Sequence, residues 1–438
     1  MRVLSSTLLA VTFVPLGAAT LEDTLSELKE SLTYGKPSVF LRARNENVDS
    51  AAFTEEAHAN TLRVALGYET KPFHGFALGA QFEGIYSLGG EQYNSGSNGQ
   101  TTRPLIADVT ESAELQQAYL KYAPSYVPGL TAIIGRQEIN LENQRFIGAV
   151  GWRQDWQSFD AASLLWKPTQ GFFKGADFYY AFLDDVHRIT PETTALGDVD
   201  MSGHAFNLGY SVCKELRAVA YAYLLDFETS NNAAQALLLS QATQTLGLRA
   251  AGTWKVADPW SLLYAAEYAQ QSDYGDNPNQ VDADYLLLEA GGGYKALTLK
   301  LGYEILGGTA SETGNKFTTP LATLHAFQGW ADLFLTTPAA GVEDLYVWLA
   351  GPLPFSGLEN FRVGAAYHDY SANDGSTHFG SEINLLLEYS VKIFDPRLFL
   401  GVKYASYQAD EGENAVFPGT TTVNTDTDKV WLYTQYSF

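Results

Sequence analysis

The ten residues LTLKLGYEIL, numbered 297–306, decide the fold of this chain. Apolar residues occupy every second position, and between them stand Thr298, Lys300, Gly302 and Glu304. Because successive side chains of a β-strand point to opposite faces, the segment predicts a strand with one apolar and one polar face. Charges and glycines sharing the polar face favour a water-filled barrel interior over the surface of a soluble β-sandwich.

The same alternation recurs along the chain, for example in residues 62–69 and 398–405. It predicts an all-β protein, a transmembrane antiparallel barrel of about 18 strands, the even number expected of bacterial single-chain barrels. The predicted strand centres are Leu41, Leu66, Phe82, Ala118, Ile133, Leu164, Tyr179, Leu208, Tyr221, Leu248, Ala265, Leu288, Leu301, Tyr346, Ala365, Leu386, Val402 and Tyr433.

The connections between these strands alternate in length. Short connections include residues 71–75, 256–259 and 394–396, and long connections include residues 87–113, 139–157, 307–340 and 407–427. Short periplasmic turns and long outer loops are the asymmetry expected of an outer-membrane barrel.

The first 19 residues have the features of a secretory signal. A basic start at Arg2 precedes an apolar stretch that ends in small residues, which predicts cleavage near Ala19. Leucines at helical spacing in the next segment, residues 20–34, predict a short periplasmic segment that is possibly helical, either a plug at the barrel base or a simple leader. The barrel itself is expected over residues 35–438.

Composition excludes several other classes of protein. Only Cys213 is present, so an internal disulfide framework is ruled out. A formal charge of −23 argues against a nucleic-acid partner, because phosphate binding needs clustered cations. The acidic loops lack the pattern of a dedicated calcium site, so they are either solvated or loosely bridged to lipopolysaccharide by divalent ions. No metal site or cofactor is predicted.

The final residues, 430–438, alternate like a last strand and end on the aromatic Phe438. Such an ending is similar to the terminal signal that outer-membrane barrels present to their assembly machinery. It predicts a protein located in the bacterial outer membrane, in contact with its lipid and lipopolysaccharide.

Two dense segments depart from strand alternation, GRQEINLENQRFIG at 135–148, continuing to Asp160, and FTTPLATLHAFQGWADLF at 317–334. Both join or begin in a long outer loop. We expect them to fold inward, where their Arg, Asn, Gln and Trp side chains would narrow the pore.

Both segments resemble the alginate-export family of outer-membrane porins, and the resemblance spans residues 35–438. Family members are eighteen-stranded barrels, and the founding type exports an anionic polysaccharide through an arginine-lined constriction. Carried to this sequence, the resemblance implies pore-lining residues at Arg136, Arg145, Arg153, Lys316, His325 and Asp332.

Strand alternation adds three further arginines to the expected pore lining. Arg42 and Arg44 share the polar face of the first strand, and Arg63 lies on the polar face of the second. A guanidinium facing lipid at the bilayer midplane costs about 2–4 kcal/mol, so these side chains should face the lumen and attract anions. In the alternative interpretation, Glu46, Glu69, Glu83 or Glu138 pairs with them, and they only stabilise the wall.

The sequence therefore predicts a porin that passes polar, chiefly anionic, solutes by passive diffusion. One alternative is a dedicated exporter of an acidic polysaccharide, and another is an inert adhesin or scaffold barrel. A barrel hydrolase would have to be built on His325 and Asp332, but the sequence contains no compact Ser-His-acid arrangement, and no catalytic residue is predicted.

Overall fold

A computed structural model describes residues 20–228, 237–392, 398–410, 415–417, 420 and 422–438. The predicted signal, residues 1–19, lies outside the described residues. The described strands are β1 (Lys36–Ser50), β2 (Ala57–Glu69), β3 (Phe76–Ser87), β4 (Ser112–Tyr122), β5 (Leu130–Gln137), β6 (Ser158–Trp166), β7 (Ala176–His187), β8 (Asp198–Cys213), β9 (Leu216–Phe227), β10 (Thr243–Ala257), β11 (Trp260–Asp273), β12 (Asp282–Tyr294), β13 (Leu297–Leu306), β14 (Val342–Pro352), β15 (Phe361–Ser371), β16 (His378–Val391), β17 (Leu398–Ala409), β18 (Ala415–Val416), β19 (Val423–Asn424) and β20 (Thr427–Ser437).

Eighteen of these strands form a single antiparallel sheet within the described parts of the chain. The sheet closes into a barrel because β1 pairs with β2 on one side and with the last strand, β20, on the other. The short strands β18 and β19 pair only with each other among the described residues. Every predicted strand centre lies inside a barrel strand, which confirms the fold class expected from the alternation.

The outer and inner faces of the barrel differ in the way that the alternation predicts. In β13, Leu299 and Leu301 are more than half exposed, whereas Glu304 on the opposite face is 2% exposed. Outward-facing leucines, valines and aromatic residues repeat this pattern on the other strands. A closed barrel leaves no unpaired strand edge, so such an apolar exterior can lie in lipid.

None of the helices in the described residues is long and apolar enough to cross a membrane.

The two ends of the barrel carry connections of different length. At one end the turns are as short as residues 214–215, between β8 and β9, and 295–296, between β12 and β13. At the other end, residues 88–111, 138–157 and 307–341 form long connections. The predicted turn at 394–396 lies outside the described residues.

The segment before the barrel contains the helix α1 (Leu21–Thr33), which begins at a capping box between Thr20 and Asp23. Its C-terminal end is attached to the short-turn end of the barrel, since the Ser31 hydroxyl donates to the carbonyl of Lys71 at 2.5 Å. Leu21 is 75% exposed, so the helix does not pack into the barrel interior.

The interior at the other end is filled by two loops. We call residues 138–157 the first inward loop and residues 307–341 the second inward loop. They meet at a parallel bridge between Ile147 and Leu321, both fully buried. The two loops share a hydrophobic cluster with the barrel wall, where Phe146 contacts Tyr285 at a ring-centroid distance of 5.2 Å. The predicted inward folding of both segments is confirmed.

Candidate functional site

The two inward loops are joined to each other by hydrogen bonds as well as by apolar packing. The Val150 amide donates to the Thr323 hydroxyl at 3.2 Å, and the Gln157 side-chain amide donates to the Leu321 carbonyl at 3.0 Å. Val150 has a positive φ of 55°, a strained conformation for a β-branched residue. Such strain persists where surrounding contacts fix the backbone, as these loop contacts do.

Arg42 and Arg63 attach the first inward loop to the barrel wall. Arg42 Nε donates to the Gln154 side chain at 2.9 Å. Arg63 donates to the backbone carbonyl of Gln154, pairs with Glu83 at 2.5 Å and lies over the ring of Trp156 at 4.0 Å. Both arginines are at most 2% exposed. Both side chains point into the barrel, and the partners named here belong to the wall and to the first inward loop.

A buried carboxylate, Asp108, forms the next attachment point. It accepts from Arg44 at 2.6 Å, from the Gln154 amide at 2.7 Å and from Arg153 at 3.4 Å. Arg44 also pairs with Glu46 at 3.0 Å, on its own strand. Desolvation alone would raise the pKa of Asp108, but Arg44 and Arg153 lower it below its usual range. Sequence reasoning missed Asp108, which lies in a loop with no periodic pattern.

Asp332 joins both inward loops to the wall. Its carboxylate accepts from His325 at 2.7 Å, from Arg153 at 3.1 Å and from Lys429 at 2.9 Å. His325 lies on the same loop, Arg153 on the first inward loop and Lys429 on β20. Burial opposes ionisation of Asp332, but the cations around it hold its pKa well below the ordinary value.

The other nitrogen of His325 faces a cation. His325 Nε2 lies 2.6 Å from Lys403 Nζ, so the ring accepts there and donates through Nδ1 to Asp332. Lys403 lies 4.1 Å from the ring centroid of Trp152 and 3.8 Å from that of Trp330. In a serine hydrolase the Nε2 position would face a nucleophilic hydroxyl. Here it faces the Lys403 ammonium, which is enclosed by indole rings. His325 and Asp332 therefore have a structural role, in which they attach the second inward loop to the barrel wall.

Arg145 and Lys316 are also buried inside the barrel. Arg145 Nε donates to Glu304 at 2.7 Å, and Tyr285 donates to the same carboxylate oxygen at 2.8 Å. Lys316 donates to the carbonyl of Thr337 at 2.6 Å, and burial lowers its pKa to about 8. Arg145 therefore attaches the first inward loop to a carboxylate of the wall, and Lys316 holds the backbone of the second inward loop in place.

Arg136 does not join the other predicted residues. Arg136 follows Ile134 by two residues, so both lie on the same face of β5. The Ile134 side chain points outward and is 59% exposed, and Arg136 lies opposite Asp160 on β6. Its guanidinium donates to Asp160 at 3.0 Å and also to Glu192. The inward neighbour is Gln137, which is 4% exposed. The predicted lining role of Arg136 is therefore corrected: it pairs with acids on the outward-facing side.

The water-accessible part of the lumen is lined by three cations that sequence reasoning did not single out. Arg217, Arg249 and Lys300 border a cavity of about 530 Å³ together with Trp348, Glu142 and Glu289, and each of the three is paired with a carboxylate. Their side chains are 36%, 12% and 29% exposed, in that order. Each occupies an inward position of its strand, so the alternation rule could have identified them.

Glu138 is the first residue of the first inward loop, and its pKa is raised. It accepts from the Gln117 side chain at 3.0 Å. Burial, which exceeds the opposing effect of Arg63, raises the pKa of Glu138 to about 7. Among the residues that the structure describes, no group of three or more His, Cys, Asp or Glu side chains could hold a metal ion.

The closed barrel with an apolar exterior, a charged interior and two inward loops defines a transmembrane β-barrel of the outer-membrane channel type. The alginate export family matches residues 54–312, more than half of the chain, and the chain belongs to that family. No curated protein sequence gives a significant match.

Solved structures share the fold at low sequence identity. OpdK of Pseudomonas aeruginosa is 16% identical, with a TM-score of 0.67 over 92% of this chain and 98% of its own. OccK5 (OpdH) of the same organism is 14% identical, with a TM-score of 0.66 and the same coverage. OccAB2 of Acinetobacter baumannii is 16% identical, with a TM-score of 0.67 and the same coverage.

Proposed function

We propose that this protein is an outer-membrane porin through which small polar solutes, chiefly carboxylates, diffuse passively. The observation that carries the proposal is the water-accessible cavity of about 530 Å³, inside a barrel with an apolar exterior, that Arg217, Arg249 and Lys300 line. An apolar exterior fits lipid, and cations beside water inside a pore raise the local concentration of anions.

In this proposal the cations inside the barrel have two different roles. Arg42, Arg44, Arg63, Arg145 and Arg153 act as positioning residues, because they hold the loops that narrow the lumen. Solute contact passes to Arg217, Arg249 and Lys300, whose side chains reach water. A related fold supports the solute class: one structure of Pseudomonas aeruginosa OpdK was determined with vanillate, which is a carboxylate.

Planar-bilayer recordings of the purified protein test the channel. We expect open conductance, and reversal potentials in asymmetric KCl that indicate preference for chloride. The triple variant Arg217→Gln, Arg249→Gln, Lys300→Gln should shift the reversal potential towards cation preference. Lys121→Gln is the comparison, since Lys121 is paired with Glu69 of β2 at 3.0 Å and does not border the cavity, so its loss should shift the reversal potential far less. Absence of conductance contradicts the porin, and unchanged selectivity of the triple variant contradicts the role of these cations.

Family membership favours a second candidate, the export of an acidic polysaccharide. This function predicts that short oligouronates enter from the short-turn side and block the current in a concentration-dependent way. A monomeric uronate would then block far less than a chain of several units. Equal block by the monomer and the oligomer favours the small-solute porin.

The proposal includes a location and an assembly route. Residues 1–19 would act as a cleaved secretory signal, and Phe438 would bind the barrel-assembly machinery. Outer-membrane lipid and lipopolysaccharide would then surround the barrel. Deleting Phe438 should reduce the folded protein in outer-membrane fractions without changing its refolding in detergent. An unchanged yield contradicts the assembly role.

A further inference from the structure

A cavity of about 240 Å³ lies between the second inward loop and the barrel wall. Phe327 and Trp330 bound it on the loop side, and Arg249, Lys300 and Trp348 bound it on the wall side. Since a water occupies about 30 Å³ in the liquid, the cavity has room for about eight waters, or for one small ring compound. Arg249, Lys300 and Trp348 also border the 530 Å³ cavity, so a solute there has direct access.

The loop and the wall both offer aromatic surface to this cavity. Trp330 and Trp348 meet edge to face, with ring centroids 5.4 Å apart and planes at 83°. Tyr346 and Phe327 complete the aromatic lining. Edge and face contacts of this kind favour a planar ring, which can stack or pack edge-on against an indole. The shape of the lining therefore favours an aromatic solute.

The acids of the lining are already paired. Glu289 and Glu304 each also accept a tyrosine hydroxyl at 2.8 Å. The pairs are Glu289–Lys300 at 2.5 Å, Glu304–Arg145 at 2.7 Å and Asp344–His368 at 2.9 Å. An ammonium ligand would have to displace one of these internal cations, so the lining disfavours amines.

Donors, in contrast, remain available. A guanidinium carries five N–H donors. Within the described part of the chain, Arg249 donates through Nη1 alone, to Glu267. The buried Gln328 amide nitrogen, on the loop side of the same cavity, has no partner among the described residues. Free cationic and amide donors beside aromatic rings match a carboxylate attached to a ring.

We propose that this cavity is a binding site for small aromatic monocarboxylates, with the ring packed against the Trp330–Trp348 pair and the carboxylate on Arg249. The site rests on the proposed porin function for its role, as a stage at which solutes pause beside the second inward loop. Its chemistry is independent of that role, so the two can be tested apart.

Isothermal titration calorimetry of the detergent-solubilised protein tests the site without any current. The probes are benzoate, propionate, which lacks the ring, and benzylamine, which reverses the charge. We expect benzoate to bind best, and Arg249→Gln to weaken it about tenfold, the value of one charge-assisted hydrogen bond. Trp348→Leu should remove the preference for benzoate over propionate, and Trp348→Phe should restore most of it. Lys121→Gln serves as the control with unchanged affinity.

Equal binding of benzoate and propionate overturns the aromatic part, and an unchanged affinity of Arg249→Gln overturns the carboxylate contact. Circular dichroism of each variant shows whether its barrel is folded, and Trp348→Phe keeps the test valid where Trp348→Leu misfolds. Bilayer recordings separate the two proposals. Conductance without benzoate binding overturns the site and leaves the porin, whereas benzoate binding without conductance overturns the porin and leaves the site.

Discussion

The substitution Asp332→Asn tests how the inward loops are held inside the barrel. Asp332 accepts from His325, Arg153 and Lys429 at 2.7, 3.1 and 2.9 Å and is buried between both loops and the wall. Its backbone has a positive φ of 64°, a conformation that Asn tolerates as well as Asp. The substitution therefore removes the charge and leaves the shape and the backbone in place.

The magnitude follows from the partners left behind. Breaking a buried ion pair costs about 3–5 kcal/mol, because the remaining charge stays buried. Arg153 keeps a second partner, Asp108, at 3.4 Å, so the lower figure of about 3 kcal/mol applies. Since 1.36 kcal/mol is a factor of ten, the equilibrium between docked and released loop should shift about 100-fold towards release.

Limited trypsin digestion in detergent measures this shift, since cleavage of a transiently opened segment follows its open population. Lys316 lies in the second inward loop and offers the cleavage site. We expect Asp332→Asn to be cut there about 100-fold faster than the original protein, and to show larger, noisier conductance. Glu388→Gln is the control. It removes the charge of a carboxylate that accepts from Tyr433 at 2.6 Å, between two wall strands, and it should leave the cleavage rate at Lys316 unchanged.

An Asp332→Asn protein with an unchanged cleavage rate at Lys316 and an unchanged conductance would refute this account of the loops. Equal acceleration in Glu388→Gln would show that loss of any carboxylate inside the barrel loosens the loop. The role of Asp332 as the shared attachment point would then be wrong.

Three further predictions concern the wall, the lipid face and pH. Arg63→Gln leaves Glu83 buried without its cation and should cost about 3–5 kcal/mol in urea unfolding, while adding Glu83→Gln should recover part of it; additive losses would contradict their coupling. Leu301→Arg, on a side chain 55% exposed to the exterior, should cost about 2–4 kcal/mol, and Lys300→Arg on the inner face far less. The raised pKa of Glu138, about 7, makes its ionisation unfavourable in the folded state, so stability should fall as pH rises from about 4.5 to 7 and then level off. Glu138→Gln should flatten that window, and an unchanged pH profile would contradict the assignment.

Strand positions were predictable because their cause is local. A strand in a barrel wall faces lipid and lumen in turn, so its side chains must alternate, and the alternation is visible in any ten residues such as 297–306. In some segments the pattern is ambiguous. In β5, Ile133 and Ile134 are both apolar, so the sequence does not reveal which face Arg136 occupies, and a shift of one residue reverses it.

The partners of the interior charges could not be predicted, because they come from distant parts of the chain. Arg42 bonds Gln154, 112 residues away, and Arg153 bonds Asp332, 179 residues away. Loop segments lack a period, so no local pattern states which carboxylate they approach. The notion that the arginines line an open constriction depended on that missing information.

The sequence by itself determined a closed barrel with an apolar exterior and two loops inside it, since period-two alternation and loop length are properties of short segments. Only the tertiary structure decided which cations face water. Each buried arginine is paired with at least one carboxylate or carbonyl brought close by folding, because an unpaired charge inside the barrel would be too costly. Arg217, Arg249 and Lys300 are also paired with carboxylates, but they reach water as well, because they line cavities that the inward loops leave unfilled.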